Sequence, residues 1–316
     1  MTDWTSWQKT VEYIVSKTGR WYGLGDGDGT PFATIPVPND FEAPDQWLDV
    51  EDIQVTLPAE GVWLDRLIDD GLVGFSEDGK LGLATGDYTI LYATRGQDGT
   101  MQRRGGVITH AMADDPNNTG TAESLTISAL SVGDVWNTIP AVSWPHTWWK
   151  ADPYPRTIDE AGIDYSQPWN MARVELATRL SYVNKYGKAA FVIARLAQES
   201  LDASMKTQRD PDGTVWVDDP YHVVEVPAVD NSPVISLEAR DGSLWETVAA
   251  QAKNAGVQLS ARIWWPGDPP VWAWDPVTSD TPGVDVDITP DDGSPSKREL
   301  GLRTFPHAMI VLEVRP

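Results

Sequence analysis

Four histidines, 47 carboxylates and no cysteine set what this 316-residue chain could do chemically. His110, His146, His222 and His307 stand far apart, and none is three or four residues from another. The helical zinc arrangement of two histidines on one face is therefore missing. No serine lies in a Gly-x-Ser-x-Gly elbow. No glycine-rich loop ends in Gly-Lys-Ser/Thr, the pattern that cradles phosphate. Without thiols there are no disulfides and no thiolate metal sites. Asp26-Gly27-Asp28-Gly29-Thr30 opens like a calcium loop, but its sixth position is Pro31 and its twelfth is not glutamate. A Gly-Asp turn is the expected structure there, and Asp114-Asp115-Pro116-Asn117-Asn118 reads as a hairpin tip. A glycosidase needs two carboxylates about 5–10 Å apart in space, which spacing along so acidic a chain does not define. The expectation is no enzyme, no metal and no cofactor.

The other chemistry-bearing residues are 16 tryptophans. Large amphipathic rings at strand ends and loops suit protein contacts and also sugar stacking, and their number does not separate the two. Trp144, Trp148 and Trp149 surround His146 at a domain edge. They read as a packed seam in preference to a ligand-stacking site. Trp264 and Trp265 follow an alternating strand, so one is expected to face inward and the other outward. The outward one, beside the Pro266-Gly267 turn, is an interface candidate. The candidate interface residues are thus Trp144, Trp148, Trp149, Trp264, Trp265 and Trp272.

A net charge of −23 speaks against a grip on nucleic acid, because phosphate binding needs Lys and Arg. The same charge keeps a chain soluble, or makes a wall along which DNA slides without sticking. No apolar run approaches the ~18–20 residues that span a bilayer, and Met1-Thr2-Asp3-Trp4 does not open a signal peptide.

The elements that would hold these residues are mostly strands. Residues 1–50 are rich in Pro, Gly and Asp and read as an irregular arm, with a short helix near Trp7 to Val15. Ile53, Val55 and Leu57 alternate with polar residues, as do Leu125, Ile127 and Ala129. Asp87–Thr94 and Arg103–Thr109 are further strands, and together they make a first β domain over 51–150. Helical spacing follows at Ala172, Leu176 and Leu180, then at Ile193, Leu196, Ala197 and Leu201, within a helical segment over 151–212. A second α+β domain covers 213–316. Its Ser243-Leu244-Trp245-Glu246 spacing starts a capped helix, and Gly256 closes it. Val257 to Ile263, Val271 to Trp274 and Ala308 to Val314 are its strands. Residues 275–298 form an acidic loop or disordered stretch. A strand so near Pro316 raises the expectation that the natural chain continues.

Three segments in order resemble a known family, the minor tail proteins that form the baseplate hub of long-tailed actinobacterial phages. The first is Gln102-Arg103-Arg104-Gly105-Gly106-Val107-Ile108-Thr109, followed by the Leu125–Ala129 strand and Trp144-Pro145. The second is the stretch from Trp169 to Gln208, leading to Asp212-Gly213-Thr214-Val215-Trp216. The third and most specific is Ser232-Pro233-Val234-Ile235-Ser236-Leu237-Glu238-Ala239-Arg240, then the capped helix, then Leu259 through Trp264-Trp265-Pro266-Gly267-Asp268-Pro269.

The resemblance implies a β-rich α+β fold with tail-tube-like β-barrel domains and an inserted helical segment. It implies a structural protein of the virion, assembled in the host cytoplasm as a homotrimer at the tail tip. Such a hub sits below the distal tail ring, closes or extends the channel, and contacts the tape measure and the fibre or tip proteins. Genomic DNA would pass through transiently without specific binding. Two other readings stay open: a carbohydrate-binding or carbohydrate-cleaving β protein with tryptophan platforms, and a cell-wall hydrolase module.

Overall fold

The computed structural model describes residues 2–44, 52–59, 67, 87–96, 99–119, 121–142, 154–158, 161–171, 183–206, 221–274 and 300–316. The chain runs through α1 (Trp4–Thr18), β1 (Arg20–Asp26), β2 (Pro31–Thr34), β3 (Asp40–Glu42), β4 (Asp52–Pro58), β5 (Tyr88–Arg95), β6 (Met101–Asp114) and β7 (Ser124–Ser131). It continues through α2 (Val135–Thr138), β8 (Tyr154–Ile158), β9 (Asp164–Met171), β10 (Val183–Lys188), α3 (Ala189–Lys206), β11 (His222–Glu225) and β12 (Val234–Ala239). The last elements are α4 (Leu244–Ala255), β13 (Gln258–Trp264), β14 (Val271–Trp274), β15 (Leu300–Arg303) and β16 (Met309–Arg315). The fold is mixed α+β and rich in strands. Two compact units form, one from Met1–Asp134, Ser260–Pro269 and Thr304–Leu312, the other from Val135–Leu259, Pro270–Arg303 and Glu313–Pro316.

The first unit is built on a seven-stranded antiparallel sheet of order β2-β1-β5-β6-β7-β4-β3. The period-two runs read from the sequence pair with one another: Ile53 faces Ala129, Val55 faces Ile127 and Leu57 faces Leu125. One sheet face gathers Tyr22, Leu24, Ile53, Val55, Leu57, Ile90, Leu125 and Ile127 into a core. Phe41, on edge strand β3, lies 4.9 Å from Tyr22 of β1 and 5.1 Å from Tyr92 of β5. These contacts require the sheet to bend around its own apolar face. It does not close: among the described residues no ladder joins β2 to β3, so the expected barrel is instead a curled open sheet.

The central strands are buried on both faces, which explains their nearly continuous apolar runs. The second face carries the row Trp21–Ala93–Arg103 and the row Gly23–Leu91–Gly105 across β1, β5 and β6. A Cβ at Gly105 would stand 2.4 Å from the Ile90 carbonyl, and one at Gly106 2.4 Å from the Leu130 carbonyl. Only glycine lets the neighbouring strands approach so closely there.

Over residues 2–44 the expected irregular arm is instead regular structure, holding α1 and β1–β3. Asp3 caps α1 by accepting from the Ser6 amide, and Gly19 ends it in the left-handed conformation. Of the residues that read as breakers, Gly27, Gly29, Pro36 and Pro38 lie between strands, whereas Gly23 and Gly25 lie within β1 and Pro31 opens β2.

In the second unit, β10 and β12 form a two-stranded antiparallel ribbon. Its inner face packs on α3 and α4. Leu244, Val248 and Ala252 of α4 are fully buried, as are Ile193, Leu196, Ala197 and Leu201 of α3. The α4 termini are the expected ones. Ser243 Oγ accepts from the Glu246 amide at 3.1 Å, and Gly256 is left-handed. The segment over 151–212, expected to be helical, also holds strands β8, β9 and β10. Ala172–Leu180, Asp212–Trp216 and the acidic stretch 275–298 lie outside the described residues.

Helix α3 follows β10 without a break, so no residue just ahead of it serves as a cap. Its first turn is capped from a distant loop instead. The Ala189 amide donates to the Pro233 carbonyl at 2.9 Å, Ala190 to Ser232 Oγ at 3.0 Å and Phe191 to Asp230 Oδ2 at 2.9 Å. Asp230 Oδ1 in turn accepts from both the amide and the hydroxyl of Ser232. Three otherwise orphaned donors are thus satisfied, with a carboxylate at the positive end of the helix.

Candidate functional site: a buried tryptophan and arginine clasp

The densest constellation of polar and aromatic groups lies in the first unit, where the turn after β13 meets α1 and the second sheet face. Strand β13 ends at Trp264; Trp265 keeps the parity of the buried Leu259, Ala261 and Ile263, and it is Trp264 that departs from the alternation by turning inward as well. Both indoles are fully buried, against the expectation that one faces solvent. Trp264 Nε1 donates to the Pro269 carbonyl at 2.9 Å, and its ring meets Phe305 edge-on at 5.3 Å. Trp265 Nε1 donates to the Gly29 carbonyl at 3.1 Å. Its ring centre lies 6.0 Å from that of Trp4 and 5.9 Å from that of Trp21, which in turn meets Trp7 at 6.3 Å. Four indoles therefore form one connected cluster. Trp4, Trp7, Gln8 and Val11 supply the helical face that covers it, at the spacing of an amphipathic stripe.

Asp268 organises the turn. Its Oδ2 accepts from the Trp265 amide at 2.8 Å and from the guanidinium of Arg103, while its own amide donates to the Trp265 carbonyl at 2.9 Å. Its Oδ1 accepts from Gln8 Nε2 at 3.2 Å, and the same Gln8 nitrogen donates to the Pro266 carbonyl at 3.0 Å. Gly267 sits at φ +99°, and a Cβ there would stand 2.9 Å from the Gln8 amide group. Glycine is required for the conformation and for the close approach.

Arg103 is 6% exposed, and its guanidinium carbon lies 4.3 Å from the Trp265 ring centre. Burial first, then the like charge of Arg262, pulls its pKa down to about 9. It therefore remains a cation at neutral pH, held by one carboxylate and one indole face. The Asp268 carboxylate is already engaged on both oxygens. That arrangement suits holding three distant chain segments together, and a carboxylate so occupied is not poised as a general base.

A second ion cluster lies in the other unit, with Lys185 buried and Arg195 partly exposed. Lys185 is 7% exposed and its Nζ meets Glu199 Oε2 at 2.5 Å, while Arg195 Nε meets Glu199 Oε1 at 2.8 Å. It ties β10 to α3 and likewise serves packing.

The remaining sequence candidates are distributed as follows. Trp144, Trp148, Trp149 and His146 lie outside the described residues. Trp272 is half-buried on β14 of the second unit. His110 is exposed on β6, and neither His222 nor His307 meets a set of three metal-ligating groups among the described residues. The Asp26–Thr30 segment is the β1–β2 turn. The Gly29 amide donates to the Asp26 carbonyl at 2.9 Å and the Thr30 amide to Asp28 Oδ1 at 2.9 Å. Burial and then the charge of Asp28 raise the Asp26 pKa, partly countered by a backbone hydrogen bond.

Arg103, Asp268, Gln8, Trp4, Trp7 and Trp21 were not candidates from the sequence. The one local signal was the spacing of Trp4, Trp7 and Gln8 along a helix face. No protein-family model matches the chain, and no curated protein matches it.

Proposed function

We propose that the protein is a structural component of a phage tail tip, forming the baseplate hub and docking the fibre or tip proteins. The ordered segments that resemble the minor tail proteins motivate this reading. The observation that carries it is the use to which the most family-like residues are put. Trp265 and Asp268 bind α1, Arg103 and Gly29, and Ser232 caps a helix that begins 43 residues earlier in the chain. Groups with chemical capacity are consumed in holding distant chain segments, as expected of a structural component of a particle. In this reading the curled sheet of the first unit forms part of the tube wall, copies complete a trimer, and acidic residues facing the channel let DNA slide past. The distal tail ring and the tape measure would be its neighbours above.

A gold-labelled antibody against the chain tests this on intact particles. Label confined to the tail tip is expected, together with a light-scattering mass that rises when neighbouring tail proteins are added. A lone globule whose tryptophan fluorescence is saturably quenched by oligosaccharides would favour the carbohydrate-binding reading instead.

A further inference from the structure

The β1–β2 turn carries two Asp-Gly pairs in succession, Asp26-Gly27 and Asp28-Gly29, each preceded by a glycine. Asp-Gly is among the peptide linkages most open to spontaneous rearrangement. The glycine nitrogen can attack the aspartate side-chain carbon, and no Cβ on the glycine stands in the way. The fold treats the two pairs differently. Asp28 Oδ1 accepts from the Thr30 amide at 2.9 Å, and the Gly29 amide donates to the Asp26 carbonyl at 2.9 Å. Gly29 is also buried, and a Cβ on it would stand 3.2 Å from Ile263 Cγ2. Both reacting groups of the second pair are therefore held. Those of the first pair are not. Among the described residues, the Gly27 amide donates to no group and no other residue donates to the Asp26 carboxylate. Asp26 is exposed and Gly27 half-buried, so water reaches the linkage. Burial and then Asp28 raise the Asp26 pKa, which enlarges the share of neutral acid, the form that can lose its hydroxyl.

We infer that Asp26-Gly27 is a site of spontaneous backbone isomerisation, and that the fold protects Asp28-Gly29 from the same reaction. The Gly27 nitrogen bonds to Asp26 Cγ, the Cγ–O bond breaks, and the acid's hydroxyl leaves with the amide proton as water. The resulting five-membered succinimide then takes up water. Opening at the former main-chain carbonyl breaks its bond to the Gly27 nitrogen and leaves a free carboxylate there. The main chain now runs through Cβ and Cγ. No oxidant, cofactor or enzyme is consumed. The product has the original mass and a main chain longer by one methylene, ~1.5 Å. The turn is tied on every side against that added length. The Asp26 amide donates to the Thr30 carbonyl at 3.0 Å, Thr89 Oγ1 donates to the Asp26 carbonyl at 2.8 Å, and the Gly29 carbonyl accepts from Trp265 Nε1 at 3.1 Å. Isomerisation therefore disturbs the Trp265 end of the clasp. The freed carboxylate is the group that an isoaspartyl carboxyl methyltransferase recognises. The inference stands apart from the assembly reading.

Ageing the full chain in neutral buffer, folded and in urea, tests this. The readout is labelled methyl transfer from S-adenosylmethionine by an isoaspartyl carboxyl methyltransferase, assigned to a residue by electron-transfer fragmentation of the peptide that holds the turn. In the folded chain the label is expected at Asp26 and absent from Asp28. In urea the two should label alike, because their neighbours in sequence are alike. Asp26→Glu should abolish the label at this position, since the six-membered ring closes far more slowly. The aged Asp26→Glu chain should also keep its melting temperature, whereas the aged natural chain loses part of its own. Should that variant fail to fold, the comparison of folded and urea-treated natural chain still decides. Label at Asp28 equal to that at Asp26 in the folded chain would overturn the inference. So would no label at Asp26 there, or the same preference for Asp26 in urea. Label at Asp26 with no fall in melting temperature would overturn the coupling to the clasp.

Discussion

The guanidinium carbon of Arg103 stands 4.3 Å from the ring centre of Trp265, while the Asp268 carboxylate three residues beyond that tryptophan accepts from the same guanidinium. One buried cation is thus shared between an indole face and the acid of the same turn. The turn is fixed to the sheet by charge, and α1 is fixed to the turn by Gln8. The clasp sits where three stretches of sequence separated by more than 90 residues must be kept in register.

Removing the acid should be costly. Asp268→Asn leaves Arg103 buried without its counter-ion, and breaking such a pair costs about 3–5 kcal/mol. Urea unfolding followed by tryptophan fluorescence should register that loss. Combining it with Arg103→Met should cost less than the two single changes added together, since the uncompensated charge is gone. Additive losses would count against the pairing.

Gly267→Ala tests the backbone of the turn. Both a disfavoured φ and a contact with Gln8 oppose a methyl group there, so a loss of about 1–3 kcal/mol is expected. Gly99 also has a positive φ, +81°, yet nothing lies within 4 Å of a Cβ built on it. Gly99→Ala should therefore cost only the conformational part, about 1 kcal/mol. Thermal unfolding of the two variants side by side separates strain from crowding.

The distant cap on α3 predicts a local effect. Ser232→Ala removes the acceptor for the Ala190 amide and should cost about 0.5–2 kcal/mol. Amide exchange should accelerate at Ala190 and Phe191 and much less in the last turns of the same helix. Uniform acceleration along α3 would show that the hydroxyl acts through general packing.

Asp26 gives a pH signature. Its folded pKa is raised, by burial first and then by Asp28, so the folded state favours the protonated acid more than the unfolded chain does. The stabilisation is present below the ordinary pKa near 3.8 and is lost as pH rises through the folded value. Asp26→Asn should accordingly raise the melting temperature at pH 7, and the advantage should vanish below pH ~3.8. The carboxylate is partly solvent-exposed, so the gain will be small. A lower melting temperature at pH 7 would refute the sign.

What the sequence determined by itself was local. The capped start of α4 at Ser243 and its Gly256 end were legible because caps are made by neighbours along the chain. The strands around Val55 and Ile127 were legible because alternation marks a half-buried surface, and each supplied the other's partner face. Their sheet order was not legible, because pairing depends on residues far apart in sequence. Tertiary structure alone decided that Trp264 turns inward, since the alternation that buries Leu259, Ala261 and Ile263 places it outward. It alone found the α3 cap in Asp230 and Ser232, which no window around Ala189 contains. It also left Trp272 on a solvent-facing ribbon while burying Trp264, two residues of one type with the same local signal. The physical reason is common to all three. Burial is set by what the rest of the chain brings to a side chain, and periodicity records only which side of its own element that chain leaves.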